Sequence, residues 1–395
     1  MKIELTAQQK NNQATFRTFV EEEIIPGADR YDQEEYTPAE LIKKVAQQGY
    51  LGALVPRESG GAGMDMVTFG LLNEEIGRGC SSVRSLLTVH SMVTYALLRW
   101  GSKQQKASWI PRLAAAEIIG AFGLSEPNVG SDAKSVETTA RLRGDGYVLN
   151  GGKKWITYGQ IADLFLVFAQ CDGKISAFLV ERNTPGLSTK PIKGMLGTRA
   201  SMLAELHLNE CRIPKENLLG GRGFGLATIA TSALDIGRYS VAWGCAGIAQ
   251  ACLEASLRYT SQRKQFGGYL KDHQLIQQMI TEMITNVKAA RLLCFQAGYL
   301  KDIGDPSTIM ETWVAKYFAS TIAAKAAGDA VQIHGANGCS NEYPVQRYLR
   351  DAKIMEIIEG STQIQQVTIA GYGYQAQMKE LGEAGGKVLP LHRIS

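Results

Sequence analysis

Residues 350–366 read RDAKIMEIIEGSTQIQQ. Apolar side chains recur at helical spacing on both sides of Gly360-Ser361-Thr362, which has the chemistry of a turn. Glu359 occupies this break, directly after two isoleucines. A carboxylate held in an apolar pocket has a raised pKa and can serve as a general base. The alternative, which this stretch alone favours, is an exposed glutamate at a helix end.

Residues 222–372, which contain this stretch, show a helical hydrophobic period almost throughout. The pattern predicts one very long helix over 223–263 and further helices over 272–302, 306–333 and 344–358. Four long amphipathic segments with short connections are typical of a four-helix bundle. Residues 373–395 are polar and contain glycine, which predicts a loose tail.

Residues 1–120 predict an N-terminal α-helical domain. The first helix is predicted to begin at Thr6, a residue type that caps helices, and to end at Pro26. Further helices are predicted over 38–49, 66–78, 82–101 and 103–116. The glycine-rich stretch at 55–66, VPRESGGAGMDM, matches no nucleotide-binding pattern and predicts a shaped loop between helices.

Residues 121–221 consist of short β-branched runs separated by Gly, Asn and Asp, the pattern of a small antiparallel sheet or barrel. Strands are predicted over 139–149, 163–169, 175–180, 187–191 and 204–208. Tight hairpin turns are predicted at 144–146, 150–152 and 183–186. The pattern therefore predicts an α+β protein with a small antiparallel sheet or barrel between two helical domains.

The composition is that of a globular protein, with 45% hydrophobic and 20% charged residues among 395. That length predicts two or three domains. A net charge of +4, scattered along the chain, gives no reason to expect a nucleic-acid partner. The seven cysteines form no CxxC pair, so neither a metal site nor a disulfide framework is expected. Without a signal peptide or a long apolar run, the sequence predicts a cytoplasmic protein with no membrane span.

Two segments near the start of the predicted barrel carry groups suited to a flat cofactor. FGLSEPNVGSD (122–132) offers backbone amides and hydroxyls around Leu124, Ser125 and Ser131 for a polar-edged ring and its phosphates. KKWITYG (153–159) places Trp155, a stacking surface, beside the Thr157 hydroxyl. Each segment alone is more often only part of the fold, but their joint occurrence favours a cofactor site.

These segments occur together with RKQFG at 263–267, His273-Gln274, QIHGANG at 332–338 and the stretch at 350–366. In this order they resemble the motifs of the acyl-CoA dehydrogenase family of flavoproteins, and the resemblance covers residues 5–372. It implies an N-terminal helical domain, a central β-barrel, a C-terminal four-helix bundle and non-covalently bound FAD. It also implies a homotetramer, or at least a homodimer.

The resemblance implies a reaction as well. A base removes the α-proton of an acyl thioester, the β-hydrogen leaves as hydride to FAD, and a 2,3-unsaturated thioester forms. Glu359 matches the position of that base. One branch of the family carries its base just before the position of Arg238, where this chain has Gly237. No metal ion is implied.

Other roles are implied position by position. The positions that match cofactor contacts are Phe122, Leu124, Ser125, Gly130, Ser131, Trp155, Ile156, Thr157, Arg263, Phe266, Gln274, Gln332, Ile333, Gly335, Ser361 and Gln363. Those from Arg263 to Gly335 match contacts made partly across a subunit interface. The candidates for substrate binding are Ser131, Arg238 and Gly360, together with Arg84 and Trp243, which depart from the family pattern.

Three departures from the family pattern bear on the substrate. Ile358 stands where the family often has Tyr before the base. Trp243 either shortens the acyl cavity or only fills the core. Arg84 is exposed or paired, which we favour, or it binds a polar or anionic substrate group.

CSSVRS (80–85), RYSVAWGC (238–245) and DAKIMEIIEG (351–360) resemble the branch found in polyketide and peptide biosynthesis. That branch acts on short acyl groups tethered to an acyl carrier protein, such as hydroxymalonyl, methoxymalonyl or prolyl groups. It predicts a small polar substrate on a phosphopantetheine arm. The alternatives are a catabolic short-chain acyl-CoA dehydrogenase, an acyl-CoA oxidase that uses dioxygen, and a non-catalytic helical scaffold. The electron acceptor stays open.

Overall fold

A computed structural model describes residues 4–383. Its first part is helical, as predicted, and residues 81–100 form its longest helix. The helices are α1 (Ala7–Phe19), α2 (Ala28–Glu34), α3 (Ala39–Gln47), α4 (Met66–Gly79), α5 (Ser81–Trp100) and α6 (Lys103–Ala114).

The start of α1 follows its sequence signal, but its end does not. Thr6 Oγ1 accepts a hydrogen bond from the Gln9 backbone N–H at 3.2 Å, and the Gln9 side chain accepts one from the Thr6 N–H, which completes a capping box. The predicted stop at Pro26 is wrong, because the chain continues through helical turns at Val20–Ile24 and Ile25–Gly27 into α2. Proline is tolerated there since the first turn of a helical segment needs no N–H from it.

The middle part is an eight-stranded sheet. Its strands are β1 (Gly120–Gly123), β2 (Thr139–Arg143), β3 (Gly146–Ile156), β4 (Leu164–Cys171), β5 (Lys174–Glu181), β6 (Leu187–Pro191), β7 (Ala204–Pro214) and β8 (Leu218–Leu219). The order is β6-β7-β3-β2-β4-β5-β8, with β1 beside β4. Most pairs are antiparallel, as predicted, but β1 and β2 each pair with β4 in parallel.

Only one of the three predicted hairpin turns joins neighbouring strands. Gly144-Asp145 connects β2 to β3, where Arg143 faces Gly146. Residues 150–152 instead lie inside β3, where the register with β7 shifts between Leu149 and Gly151. Gly151 has a φ of 143° at this bulge. The glycines within 150–152 therefore mark an irregularity within a strand and not the predicted turn. Residues 183–186 join β5 to β6, which are not neighbours in the sheet.

The last part is a helical bundle, as predicted. A π-helical turn (Gly225–Ala230) leads into α7 (Thr231–Gln262), followed by a two-residue hairpin of β9 (Lys264–Gln265) and β10 (Gly268–Tyr269), then α8 (Gln274–Asp302), α9 (Thr308–His334), α10 (Val345–Met355) and α11 (Thr362–Glu383). The loose tail predicted for 373–395 is wrong for residues 373–383, which continue α11. Residues 384–395 lie outside the described part of the chain.

Helix α7 packs against α4, α5, α9 and α10, and glycines let α4 approach it closely. An added Cβ at Gly247 would lie 2.1 Å from the Glu74 carbonyl oxygen. An added Cβ at Gly77 would lie 2.7 Å from the Gly244 Cα. Interiors pack too densely to absorb such atoms, so this contact fixes which face of α7 turns toward α4 and α5.

Two buried contacts join the sheet to the helices. The Tyr158 hydroxyl, just after β3, donates to the Ser82 carbonyl of α5 at 3.0 Å and lies 3.0 Å from Thr37 Oγ1 between α2 and α3. Asp351 of α10 accepts a hydrogen bond from the Thr198 backbone N–H at 2.6 Å. Ser81 Oγ of α5 also donates to Met355 Sδ at 3.9 Å, so the end of β3, the start of α5 and the end of α10 meet in one region.

Among residues 4–383, no helix is both long and apolar enough to cross a membrane. Within the same range, no group of His, Cys, Asp and Glu side chains is arranged to hold a metal ion.

Candidate active site

Glu359 lies in the turn that joins α10 to α11. Helix α10 ends at Met355, and the Thr362 N–H then donates to the Glu356 carbonyl at 2.9 Å, which closes the turn. Glu359 and Gly360 have φ values of 55° and 91°. A non-glycine residue in this left-handed region is strained, and such strain is concentrated at functional sites.

The Glu359 carboxyl group points at α7. An added Cβ at Gly237 would lie 2.3 Å from Glu359 Oε2 and 2.9 Å from Met92 Sδ. Gly237 therefore leaves the space that the carboxyl group occupies, beside a thioether of α5. Oε2 is buried and has no hydrogen-bond partner among the described residues. The favoured alternative of an exposed glutamate at a helix end is wrong.

Two opposing effects act on the pKa of Glu359. Burial, the larger effect, raises the pKa, because a carboxylate loses hydration there. The positive charges of Arg238, Lys316 and Arg84 act in the opposite direction, in that order, and the net result is a raised pKa. A carboxyl group with one unpartnered oxygen and a raised pKa is suited to accept a proton.

Arg84 is fully buried, with an exposed fraction of 0%. Its Nη1 donates to Thr88 Oγ1 at 2.6 Å and to Ser240 Oγ at 3.3 Å, and its Nη2 donates to Ser85 Oγ at 3.2 Å. No carboxylate of the described residues lies within salt-bridge distance of it, and its Nε has no partner there. The favoured prediction that Arg84 is exposed or paired is therefore wrong.

Hydroxyl groups and the Met355 thioether, which accepts from Arg84 Nη2 at 3.4 Å, are the direct hydrogen-bond partners of this charge among the described residues, and Glu359 and Asp351 act on it from beyond salt-bridge distance. Thr88 Oγ1 and Ser240 Oγ lie 2.7 Å apart, and Ser240 donates to Asn73 Oδ1 at 2.6 Å. Burial lowers the pKa of Arg84. A buried charge without a counter-charge is costly, so its presence indicates a role that a bound group completes.

Glu359 and Arg84 approach the same helix at two levels. An added Cβ at Gly244 would lie 2.2 Å from Arg84 Cδ, as one at Gly237 would meet Glu359. Seven residues separate the two glycines, which is two helical turns or about 10 Å along α7. The carboxyl group and the guanidinium group thus mark two ends of a short stretch between α5 and α7.

The two predicted cofactor segments are neighbours in the structure. The Lys154 N–H donates to the Ser125 carbonyl at 2.9 Å. Lys153 Nζ donates to Glu126 Oε1 at 2.6 Å and to the Leu124 carbonyl at 3.3 Å, inside the protein. This buried ion pair holds the loop at 124–126 against the end of β3.

The residue types around this junction fit a flat, polar-edged group. Trp155 is 47% exposed and has a φ of 64°, where the β3–β7 register shifts a second time. Thr157 is half-buried beside it, and Gly130 and Ser131 are exposed on the preceding loop. An exposed indole next to a hydroxyl, held by an irregular strand end, offers a face for stacking and a donor at its edge.

Models of three parts of one family match successive parts of the chain: the N-terminal domain of acyl-CoA dehydrogenase at 6–117, the middle domain at 121–211 and the C-terminal domain at 221–372. The chain belongs to the acyl-CoA dehydrogenase family. Rat mitochondrial short-chain specific acyl-CoA dehydrogenase is 42% identical over 94% of this chain and 91% of its own. Glutaryl-CoA dehydrogenase of Desulfococcus multivorans is 39% identical over 94% of this chain and 97% of its own.

Solved structures agree with this assignment. Butyryl-CoA dehydrogenase from Megasphaera elsdenii superposes with a TM-score of 0.91 at 35% identity, over 94% of this chain and 99% of the other. A Mycobacterium smegmatis glutaryl-CoA dehydrogenase in complex with FADH2 has a TM-score of 0.89 at 32% identity, over 93% and 94% of the two chains. The protein is an FAD-dependent oxidoreductase of the acyl-CoA dehydrogenase family.

Two further neighbours are named for work on carrier-bound or biosynthetic substrates. The prolyl acyl carrier protein oxidase AnaB has a TM-score of 0.89 at 29% identity, over 93% of this chain and 99% of its own. FkbI, named for biosynthesis of a methoxymalonyl extender unit, has a TM-score of 0.85 at 33% identity, over 92% and 99%. The relatives with higher identity are named for CoA thioesters.

The remaining predicted cofactor positions divide by burial. Ile156 and Ile333 are buried in the core, and Phe122 packs on Phe168 with ring centroids 5.1 Å apart. Any contact that these residues make with FAD therefore comes through their backbone or one edge. The other positions are exposed and lie in the α7–α8 connection, at the end of α9 and at the start of α11: Arg263, Phe266, Gln274, Gln332, Gly335 and Gln363.

Arg238 and Trp243 lie on different faces of α7. Arg238 Nε donates to the Glu359 carbonyl at 3.2 Å, and its guanidinium lies 3.9 Å from the centroid of the Trp313 ring. Trp243 packs against α4, where an added Cβ at Gly70 would lie 2.3 Å from its Nε1. The structure thus brings Arg238 to Glu359 and places Trp243 in the packing of α4 on α7.

Five residues around the site did not emerge from the sequence: Met92, Thr88, Ser240, Lys316 and Gln365. Thr88 follows Arg84 by four residues, so helical spacing would have placed the two on one face. Lys316 stands within the apolar run TWVAKYFAS, where a lysine is unexpected. Met92 and Ser240 carried no signal beyond their helical positions.

Proposed function

We propose that the protein dehydrogenates a short acyl thioester whose far end carries a polar or anionic group. Glu359 removes the α-proton, and the β-hydrogen leaves as hydride. FAD, when bound, accepts that hydride. The observation that supports this proposal is that an unpartnered carboxyl oxygen of Glu359 and the buried Arg84 side chain face two glycines of α7, Gly237 and Gly244, which lie two helical turns apart.

Glu359 is suited to remove the proton for two reasons. Its Oε2 is buried beside Met92 and Gly237, and this burial raises the pKa. A raised pKa increases the driving force for taking a proton from carbon, provided that the group stays ionised at working pH. The three neighbouring cations keep it ionised over a wider range than burial alone would allow.

We propose that FAD is held at the junction of β1, β3 and the loop at 124–131. Trp155 would stack on the ring system, and Thr157 and Ser125 would offer hydroxyl groups to its polar edge. Backbone groups of Leu124, Ile156 and Ser131 lie along the same junction. Ser361 and Gln363, at the start of α11, belong to the segment beyond the base that the family resemblance assigns to FAD.

Arg84 supports the choice of substrate class. A carboxylate or other oxygen-rich group bound there would supply the missing counter-charge and accept charge-assisted hydrogen bonds. Thr88 and Ser240 would add hydroxyl groups to the same end. A relative 39% identical is named for glutaryl-CoA, a thioester with a carboxylate at its far end.

The thioester donor is a separate proposal. The sequence pattern predicts an acyl carrier protein, and two structural neighbours are named for such substrates or pathways. The relatives of higher identity, named for CoA thioesters, favour the catabolic alternative. Both donors present a phosphopantetheine arm, so Glu359 and Arg84 serve either one.

We also propose that the protein is a homotetramer, or at least a homodimer. Phe266 is 98% exposed with a φ of 53°, and Leu275 is 72% exposed at the start of α8. An aromatic side chain held out in solvent next to Arg263 and Gln274 is suited to reach a second copy of the chain. Light scattering after gel filtration would show more than one chain per particle; a monomer would refute the proposal.

The test of function is anaerobic reduction of the bound flavin, followed as loss of its visible absorbance. Substrates would be butyryl, glutaryl, glyceryl and prolyl groups, each on CoA and on an acyl carrier protein. We expect faster bleaching with a polar or anionic far end than with butyryl. Equal or faster bleaching by butyryl thioesters would remove the proposed role of Arg84. Rapid peroxide release in air would instead favour the oxidase alternative.

Two variants assign the roles. Glu359→Gln should keep FAD and the fold but lose flavin reduction by several orders of magnitude, since it removes the carboxylate whose buried, unpartnered Oε2 would take the proton. Arg84→Met should lower kcat/KM for the glutaryl thioester by roughly 10- to 100-fold, because hydrogen bonds to charged groups contribute about 1.5–3 kcal/mol. Its effect on the butyryl thioester should be smaller.

A further inference from the structure

The turn that carries Glu359 is held by its carbonyl groups. Arg238 Nε donates to the Glu359 carbonyl at 3.2 Å. Gln365 Nε2 donates to the Glu359 carbonyl at 3.1 Å and to the Gly360 carbonyl at 3.2 Å. Lys316 Nζ donates to the Gly360 carbonyl at 2.7 Å. Donors from three helices, α7, α9 and α11, therefore hold two consecutive left-handed residues in place.

Lys316 is the unusual member of this set. It is 0% exposed, and no carboxylate of the described residues lies within 4.0 Å of its Nζ. The other deeply buried lysines of the described chain have such a partner: Lys153 pairs with Glu126 and Lys301 pairs with Asp235. An ammonium group buried without a carboxylate is costly and needs a reason beyond stability.

Several charged or titratable groups face Lys316 from the elements packed on α9. Cys245 and Arg238 lie on α7, and Glu356 and Glu359 lie in the α10–α11 connection. Burial lowers the pKa of Lys316 to about 8, and Cys245 and Glu359 oppose this effect. In turn, the positive charge of Lys316 opposes the rise that burial causes in the pKa of Glu359. The two groups therefore favour each other's charged form.

We propose that Lys316 is a positioning residue for the catalytic base, which holds the Glu359–Gly360 turn through the Gly360 carbonyl and keeps the Glu359 carboxyl group ionised. This proposal rests on the proposed role of Glu359. In this proposal Lys316 does not contact the substrate. It acts on Glu359 through the hydrogen bond to the turn and through its positive charge.

The hydrogen bond and the charge have separate consequences. Loss of the hydrogen bond loosens the turn, which Arg238 and Gln365 alone then hold. A displacement of about 1 Å at a reacting group can cost on the order of 100-fold in rate. Loss of the charge raises the pKa of Glu359 further, so the base is protonated at a higher pH. The acidic limb of the pH–rate profile then moves to higher pH.

Three variants separate these consequences. Lys316→Met removes both the donor and the charge and keeps a similar length. Lys316→Gln removes the charge but keeps an N–H donor. Lys325→Met is the matched control, because Lys325 lies nine residues along α9 on the surface, where it pairs with Glu282 and Asp329. Exposed pairs of this kind contribute little.

The rate of flavin reduction across pH is measured for each holoenzyme, together with FAD content and melting temperature. The protonation of Glu359 is read directly from the carboxylic-acid C=O band in infrared difference spectra against Glu359→Gln. We expect Lys316→Met to lose about 10- to 100-fold in rate, with both its acidic limb and its infrared titration moved to higher pH. Lys316→Gln should show the same pH shift with a smaller loss of rate.

Two results would overturn the proposal. One is a Lys316→Met enzyme whose pH profile and infrared titration match those of Lys325→Met. The other is a loss of rate in both Lys316 variants that follows loss of FAD or of melting temperature, without a shift in the Glu359 titration. Failure of the proposed function would look different, because Glu359→Gln itself would then reduce its flavin at the wild-type rate.

Discussion

Replacement of Gly237 by alanine is expected to displace the carboxyl group of Glu359, the base that we propose. The new methyl carbon would lie 2.3 Å from Glu359 Oε2 and 2.7 Å from its Cδ. Ordinary non-bonded contacts are about 3.5 Å, so the carboxyl group has to move by roughly 1 Å. A shift of that size costs on the order of 100-fold in rate, which is about 2.7 kcal/mol of activation free energy.

The same substitution should leave the fold intact. Alanine favours a helix interior over glycine by about 1 kcal/mol, while overpacking costs about 1–3 kcal/mol. The net change in the free energy of unfolding is then about 0–2 kcal/mol. The loss of rate therefore exceeds what instability of the protein would explain.

The assay is anaerobic stopped-flow reduction of the flavin by a saturating acyl thioester, with FAD content as the reference. Gly328→Ala is the matched control, because an added Cβ at this glycine of α9 meets nothing within 4 Å. It should reduce its flavin at the wild-type rate. A Gly237→Ala enzyme that is as fast as this control would refute the placement of the carboxyl group against α7.

The remaining predictions concern stability. Lys153→Met should cost about 3–5 kcal/mol because it leaves Glu126 buried and unpaired, whereas Lys154→Met, at a half-exposed pair with Glu205, should cost under about 1 kcal/mol in denaturant titrations. Glu359→Gln should melt at a higher temperature than wild type at pH 8. Because the pKa of Glu359 is raised in the folded protein, its carboxyl group contributes fully to stability below its unfolded pKa. That contribution is lost as pH rises through the native pKa. The difference in melting temperature between the two proteins should therefore disappear at about pH 4. Arg84→Met should also raise the melting temperature, since it removes an unpaired buried charge and leaves Thr88 and Ser240 bonded to each other; a lower melting temperature would mean that Arg84 is structural.

Much of the helical architecture could be predicted because burial of one helix face leaves a period in the sequence. The predicted helix over 66–78 is α4 at Met66–Gly79, and that over 306–333 is α9 at Thr308–His334. Strand β1 was missed because four residues, Gly120–Gly123, are too few to show a period. The bulge at Gly151 was taken for a turn because glycine, which tolerates positive φ, is typical of both features.

The candidate site could be predicted from the sequence where a short motif contains its chemical groups. It could not be predicted where the environment of a side chain depends on residues distant in the sequence. Glu359 beside Gly360 marked a carboxylate in a turn, but only the fold shows that Gly237 makes room for it. Arg84 was expected to be exposed or paired because charges usually are. That expectation failed at a residue for which we propose a functional role, and such positions often depart from the general preference of the residue type.

The Tyr158 hydroxyl ties three segments together next to Thr157. If Thr157 binds the flavin, the apoprotein lacks this contact one residue away from Tyr158, whose hydrogen bonds hold the start of α5. Arg84 follows Ser82 on that helix by two residues. Protein that has lost FAD during purification would then also hold Arg84 less firmly. Ligand affinities measured on such colourless preparations would therefore not describe the FAD-bound enzyme.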